Sequence, residues 1–531
     1  MKFSRIRLWT FRISLGLLAA CSLPSSTKQA VLLYNEHSGI TSLDPLYARN
    51  LANIWAVQWT YEGLTKLNSD NKIVPCLADA WVCDSTGKVW TISLRKGVFF
   101  HPNPDLIVGY QLNSRDVVLS LDRAQNHPFS AWILEGLDTL ISNGDFEIEL
   151  HFSRSVPDLP ALLSIPALSI LPAPLLESKP VEYWRTIACG TGMFRLQTWV
   201  EGEKMILPRF ESYWNNTGIT SKGIPIQGIA IQFVKEIQSA KLDFLRGSLA
   251  FLQGADPQVN DELRMLAQQP SASFRVVQGD FLNTEYLGFN LQGKHPACGS
   301  AALRKSLAAF LDVSKILKEV RSGMGQDAEG RFCPLSLVEV GAKPNELQGQ
   351  DQRATALAWL KRAGYNHPRE VPPLVLHTDP AYAYFCSALI YPWASEGFRV
   401  RLEVLERSTL KSMVAKGQLD FFRASWIADY PSASNVLGIF HSNRIPPNGP
   451  NYSFFKNDTL DQACEVLSKS TETEKQREAI EQIESLLSHH APVIPLYFDA
   501  YLRFERKEFQ GLTSNVLNQL DARNAVVVQG E

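Results

Sequence analysis

Apolar and polar positions alternate in several places along the chain. Val89-Trp-Thr-Ile-Ser-Leu94 predicts a strand, followed by a turn at Lys96-Gly97. Asp145-Phe-Glu-Ile-Glu-Leu-His-Phe152 predicts another, with Phe146, Ile148, Leu150 and Phe152 on one face. Between them, Ser114 is placed to cap a helix carrying Val117, Val118 and Leu121. Farther along, the period lengthens. Gln352 to Ala363 predicts a helix with Leu357, Leu360 and Ala363 inward and Gly364 as its stop. Leu374-Val-Leu-His377 and Val400-Arg-Leu-Glu-Val404 predict strands on either side of a helix from Ala381 to Ala394. That is a β-α-β unit, whose crossover should be right-handed. Thr471 and Glu474 read as a capping box for a helix with Ile480, Ile483, Leu486 and Leu487 inward. His489 and His490 close that helix, where cations suit the helix dipole better than they argue for a metal. After Pro492, Val493-Ile-Pro-Leu-Tyr497 predicts a strand, so late that the chain is expected to return to an earlier sheet.

The first 21 residues follow a different pattern. Lys2, Arg5, Arg7 and Arg12 precede an apolar stretch, Ile13 to Ala20, that is too short to span a bilayer. It ends Leu18-Ala-Ala-Cys21, which resembles a bacterial lipobox, in which the Cys is diacylated and becomes the mature N-terminus. The alternative is an ordinary secretory signal with a coincidental Cys. Two or more acyl chains anchor firmly where one does not, and Ser22 to Gln29 then reads as a flexible tether. No later run is long enough to cross a membrane.

The 531 residues allow two to four domains. A formal net charge of −2, with no cluster of Lys and Arg beyond the N-terminus, gives no support for nucleic-acid binding. Cys21 aside, seven thiols remain, an odd number that forbids full pairing; Cys76 and Cys83 are near enough in sequence to pair, which spacing alone does not establish. There is no CxxC, and the chain lacks GxSxG, HExxH and Walker loops, so neither a metal, a cofactor nor an enzyme is expected.

The candidate chemistry lies in Arg423-Ala-Ser-Trp-Ile-Ala-Asp429-Tyr-Pro431, just after the apolar-rich run Leu419-Asp-Phe-Phe422. A lone carboxylate among a Trp, a Tyr and a Pro suits capture of a small cationic group such as a peptide's α-ammonium. Locally, an Asp capping a turn before Pro431 reads as well.

Six separated segments together resemble the oligopeptide/dipeptide-binding family (family 5) of ABC-transporter solute-binding proteins. They are Leu43-Asp-Pro45 with Tyr61-Glu-Gly-Leu64 and Pro75-Cys-Leu-Ala-Asp-Ala-Trp81; Trp90 to His101 with Ser114-Arg-Asp-Val-Val118; and Gly190-Thr-Gly-Met-Phe194 with Trp199, Gly202 and Tyr213-Trp214. The remaining three are Leu287-Gly-Phe-Asn290 with Leu303-Arg304; Ala363-Gly-Tyr365; and Trp426-Ile-Ala-Asp-Tyr-Pro431. On the residues alone, Asp44-Pro45 reads as a turn, and Tyr61 to Leu64 as a helix end with Glu62 a surface or capping charge. Gly190-Thr-Gly192 lacks the Lys-Ser/Thr of a phosphate loop and precedes an expected strand.

The resemblance implies an α/β, bilobal periplasmic-binding-protein fold of type II with an inserted domain, enclosing its ligand between the lobes. Residues 1–21 would be the lipoprotein signal, and 22–60, 189–279 and 492–531 lobe I. Residues 61–188 would be the insert and 280–491 lobe III, with a hinge near residues 280 and 492. It implies a monomeric lipoprotein, anchored through Cys21 in the periplasm or at the cell surface, that hands oligopeptides or peptide-like ligands to ABC permease subunits. By the same resemblance Asp429 pairs with the ligand ammonium, beside Tyr430; Trp426 shapes a side-chain pocket; and the backbones of Ser425 and Ile427 pair with the ligand backbone. Arg423 either neutralises the ligand's C-terminal carboxylate or forms a surface salt bridge, while Arg49 and Leu51 approach the ligand from lobe I. The sequence departs from the family in a stretched loop, Pro102 to Gly109, in Ser432 where Asp or Glu is common, and in Ser425 where Gly is common. Relatives on this scaffold bind glutathione, nickel complexes, haem or sugars, so another ligand, or an adhesin or chaperone role, stays open.

Overall fold

The computed structural model describes residues 30–216, 223–254, 256–338, 352–470 and 472–528. The N-terminal segment with Cys21 lies outside them. Among the described residues no helix is long and apolar enough to cross a membrane.

An eleven-stranded mixed sheet brings distant parts of the chain together. Its path runs Val400–Val404, Leu374–Thr378, Phe421–Ile427, Phe274–Phe289, Val493–Arg506, Phe251–Gln253, Val31–Asn35, Gly228–Gln232, Lys204–Pro208, Thr198–Val200, and the eleventh strand, Gln326–Asp327, pairs with Val493–Arg506 off this path. The late strand expected after Pro492 thus joins an earlier sheet. It runs on to Arg506 because the polar Arg503 and Glu505 pair with each other inside the core. Phe274–Phe289 and Val493–Arg506 lie antiparallel along most of their length, with a register shift between Asp280 and Thr284. Leu374–Thr378 and Val400–Val404 are parallel neighbours around the helix Ala383–Glu396, as their β-α-β pattern predicts.

A separate four-stranded sheet is built from Ala78–Cys83, Val89–Leu94, Glu147–Phe152 and Leu137–Ser142. Ile148, Leu150 and Phe152 are buried on one face of it, under the helix Ser114–Gln125. They belong to a large apolar core reaching from Leu32 to Phe251 and taking in the C-terminal Phe509 to Ala525. A second core gathers Leu282, Phe332, Ala428, Val436, Phe440 and the helices after them, including Ile480 and Ile483. A third surrounds Leu287, Phe289, Leu376, Trp393 and Phe421.

Several local expectations change. Asn113, not Ser114, caps its helix, in a capping box with Asp116. The helix Thr473–His490 has no side-chain cap: Glu474 pairs with Arg477 instead, and Thr471 lies outside the described residues. Helix Leu51–Thr60 stops before Tyr61-Glu-Gly-Leu64, and Glu62 is buried rather than a surface charge. It accepts from Tyr213 Oη (2.7 Å), Trp214 Nε1 (2.8 Å), Thr191 Oγ1 (2.9 Å) and Cys76 Sγ (3.6 Å). A Cβ on Gly190 would fall 2.1 Å from Thr60 O and one on Gly192 2.5 Å from Trp59 O, so these glycines serve close backbone packing. The bridge Phe194↔Arg209 and then the strand Thr198–Val200 follow them, as the expected strand after these glycines requires. Asp44 caps the short 3-10 helix Pro45–Tyr47 and is clamped by Arg123 at 2.9 and 2.6 Å. Cys76 and Cys83 are free thiols.

Candidate functional site

The Phe421–Ile427 strand is flanked unequally. On one side it pairs with Phe274–Phe289, Ile427 facing Asn283 and Ser425 facing Glu285. On the other it meets Leu374–Thr378 only where Phe422 faces His377. The Ala428 N–H donates to Leu282 O at 2.8 Å. Antiparallel ladders bond through alternate residues, so Phe422, Ala424 and Trp426 turn their backbone groups toward the long strand. Arg423, Ser425 and Ile427 turn theirs away. From Ser425 to Ile427 the strand presents an edge with no strand partner among the described residues. Ile427 is half exposed there. Trp426 packs on the second core, its indole Nε1 buried without a hydrogen-bond partner.

Asp429 lies just past this edge. Its N–H donates to Asn435 Oδ1 (3.0 Å), and Asn435 Nδ2 donates back to its carboxylate (3.2 Å). Burial pushes the carboxyl above its ordinary range, while the Asn435 bond and the charges of Arg49 and Arg444 pull it down. It has no ion-pair partner among the described residues.

Arg423 is placed otherwise. Only 7% exposed, its guanidinium pairs with Glu285 and with Asp379 (3.5 Å) and stacks over the Tyr382 ring. The surface salt bridge expected of it is therefore a buried one. Burial disfavours the Arg423 charge, but Glu285, together with Tyr382 and Tyr497, more than restores it. Beside it Arg321 pairs with Asp499 (2.8 Å), and Asn283 Nδ2 donates to Glu285 (3.0 Å) and Asp499 (3.3 Å).

Tyr430 is buried with the first core, its hydroxyl 3.3 Å from Ser434 Oγ. Ser432 and Ser434 both donate to Asp158 Oδ2, at 3.0 and 2.7 Å. Asp158 sits between Val156 and Leu159 of the first core, whereas Ala433 and Val436 belong to the second, so these bonds tie the two bodies together. Arg444 adds a longer contact to Glu135 (3.7 Å). Arg49 is exposed, its guanidinium 4.3 Å above the Phe129 ring. Leu51 opens its helix and packs on the first core.

The segment 425–430 and the charge of Arg49 thus gather around Asp429, while Arg423 belongs to an ion network. Asn435, Asp158 and Glu285 escaped the sequence reading. Of these only Asn435, six residues from Asp429, had any local signal. A separate cavity of about 100 Å³, lined by Glu62, Lys66, Asp521 and Arg523 as well as Trp59 and Phe194, includes none of the predicted site residues.

Comparison with known proteins points one way. The family described as bacterial extracellular solute-binding proteins, family 5 (middle region), matches residues 72–447. The periplasmic oligopeptide-binding protein OppA of Escherichia coli is 23% identical, over 94% of this chain and 93% of its own. The E. coli periplasmic murein peptide-binding protein MppA is 24% identical, covering 91% of each. Among solved structures, the Helicobacter pylori periplasmic binding protein DppA in complex with the peptide STSA superposes with a TM-score of 0.77 at 20% identity, over 94% of this chain and 98% of that one.

Proposed function

The chain belongs to the family 5 bacterial extracellular solute-binding proteins, and from that premise we propose that it captures oligopeptides or peptide-like ligands and delivers them to an ABC importer. The observation that carries this reading is a buried carboxylate, Asp429, with no ion-pair partner among the described residues, at the end of an unpaired strand edge.

An extended peptide offers backbone N–H and C=O groups whatever its sequence, and the edge at Ser425 and Ile427 can pair with them. Each such bond adds about 0.5–1.5 kcal/mol net. An α-ammonium on Asp429 adds a charge-assisted bond, roughly twice as strong as a neutral one. It also supplies the counter-charge that a desolvated carboxylate needs. Trp426 shapes the neighbouring pocket. The buried pairing of Arg423 with Glu285 and Asp379 favours a wall-building role for it over contact with a ligand carboxylate.

In this reading Phe274–Phe289 and Val493–Arg506 carry the chain between the lobes, and their register shift near Asp280 serves as the hinge. The bonds from Ser432 and Ser434 to Asp158 then close the lobes over the ligand. A lipid on Cys21 would hold the protein at the membrane beside its permease. The names of the peptide-binding relatives support a peptide over the other ligands this scaffold carries.

Calorimetry with a peptide recovered from the purified protein tests the reading. Asp429→Ala is expected to weaken binding by about 2–5 kcal/mol, tens- to thousands-fold. N-acetylating the peptide should cost a similar amount, and unchanged affinity in both cases would refute the ammonium assignment.

A further inference from the structure

Two hairpins leave the first core, enter the second and return. Thr65–Leu67 pairs with Ile73–Pro75, flanked by Leu64 and Leu77 of the first core, yet Leu67 and Ile73 pack on the second. Thr513–Ser514 pairs with Leu520–Asp521, and Leu512 and Leu520 likewise belong to the first core, while Val516 and Leu517 between them are buried in the second. Trp55 and Trp59 hold this later hairpin to the helix Leu51–Thr60, their Nε1 atoms donating to Asn518 O (2.7 Å) and Leu520 O (2.9 Å).

The hairpins also hold each other. Asn71, at the first turn, has a left-handed backbone (φ 60°), which Asn tolerates better than most residues. Its Oδ1 accepts from Val516 N–H at 2.8 Å. Asn515 Oδ1 accepts from the N–H groups of Leu517 (3.0 Å) and Gln519 (3.2 Å), which folds the second turn on itself.

Their common target is the strand Phe274–Phe289 where it loses register with Val493–Arg506, between Asp280 and Thr284. Leu282 lies inside that gap. A buried N–H that has lost its ladder partner needs another, and Leu282 N–H donates to Val516 O at 2.8 Å. Its own C=O accepts from Ala428 N–H at 2.8 Å. Three bonds thus run from Asn71 through Val516 and Leu282 to Ala428, the residue before Asp429.

Both hairpins are rooted in the first core at each end, so they travel with the first body. Separating the two bodies would draw Leu67, Ile73, Val516 and Leu517 out of the second core and strip Leu282 N–H of its acceptor. Each of these changes costs free energy.

We propose that the two hairpins form a latch that engages the second core only when the bodies close over a ligand. Part of the ligand's affinity then comes from contacts the ligand never touches. The inference rests on the closure described above, to which it adds a second fastening besides the bonds to Asp158, and it does not depend on the ligand being a peptide.

The compound that co-purifies with the protein is titrated by calorimetry into the wild type, Leu67→Ala and Asn71→Ala. A latch made only on closure predicts that affinity falls about tenfold or more for Leu67→Ala and about fivefold for Asn71→Ala. The melting temperatures of the ligand-free variants should stay within about 2 °C of the wild type. A permanent joint gives the reverse, a lowered melting temperature with unchanged affinity, and overturns the latch. Amide exchange reads the same event without a variant: the Leu282 N–H should exchange about tenfold or more slowly once the wild type is liganded. Equal protection in the two states also overturns it. Mass spectrometry of the compound judges the peptide reading separately. A non-peptide that produces the same split between affinity and stability sinks that reading and leaves the latch standing.

Discussion

Glu285 and Asp429 are two acids drawn out of water near the same strand, and the protein treats them differently. Glu285 is answered from within: Arg423, Asn283 and Tyr382 all reach it. Asp429 receives one amide and, among the described residues, no ion-paired cation. A buried charge with its partners in place builds a wall, whereas one left with only an amide has capacity for a partner from outside. The difference separates structural from ligand-facing chemistry within one nine-residue segment, where sequence motif alone groups Arg423 with Asp429.

The sharpest way to break this contrast is Arg423→Met. It strands Glu285 and Asp379 without their cation and should cost about 3–5 kcal/mol in urea unfolding. A variant of undiminished stability would place Arg423 with the ligand instead. Next is Asp158→Ala, which removes the acceptor shared by Ser432 and Ser434. In the proposed reading it speeds peptide release about tenfold, roughly 1–2 kcal/mol, with little change in association rate, as stopped-flow fluorescence would report. An unaltered release rate would detach the clasp from closure.

The smallest effect concerns Asp429 without ligand. Burial raises its folded-state pKa, so its contribution to stability is fully present below the unfolded pKa of about 3.9 and is lost as pH rises through the folded value. Asp429→Asn should therefore raise the melting temperature of the ligand-free protein at pH 7 by about 1–2 °C and leave it unchanged near pH 3. A lower melting temperature at pH 7 would mean that the carboxylate is satisfied internally after all.

Much of the fold was legible because its signals are local. The alternation at Glu147–Phe152, the β-α-β pattern around Ala383–Glu396 and the late strand at Val493 all appear where apolar periodicity places them. The misses have long-range causes. Glu62 reads as a surface charge because its partners Thr191, Tyr213 and Trp214 lie 129 to 152 positions away. The environment of Arg423 depends on Glu285, 138 positions earlier. Asn113 and Ser114 are both good caps, and neighbouring candidates of this kind are settled by tertiary geometry. The open edge at Ser425–Ile427 was invisible for a different reason: it depends on where Leu374–Thr378 stops pairing, which no local pattern encodes.

That edge also bears on solubility. Unpaired strand edges invite other chains to add to the sheet and seed aggregates. Here the exposed stretch is short, bounded by the pairing of Phe422 with His377 on one side and by Asp429 and Pro431 on the other. It is long enough to welcome a small peptide and too short to template a fibril.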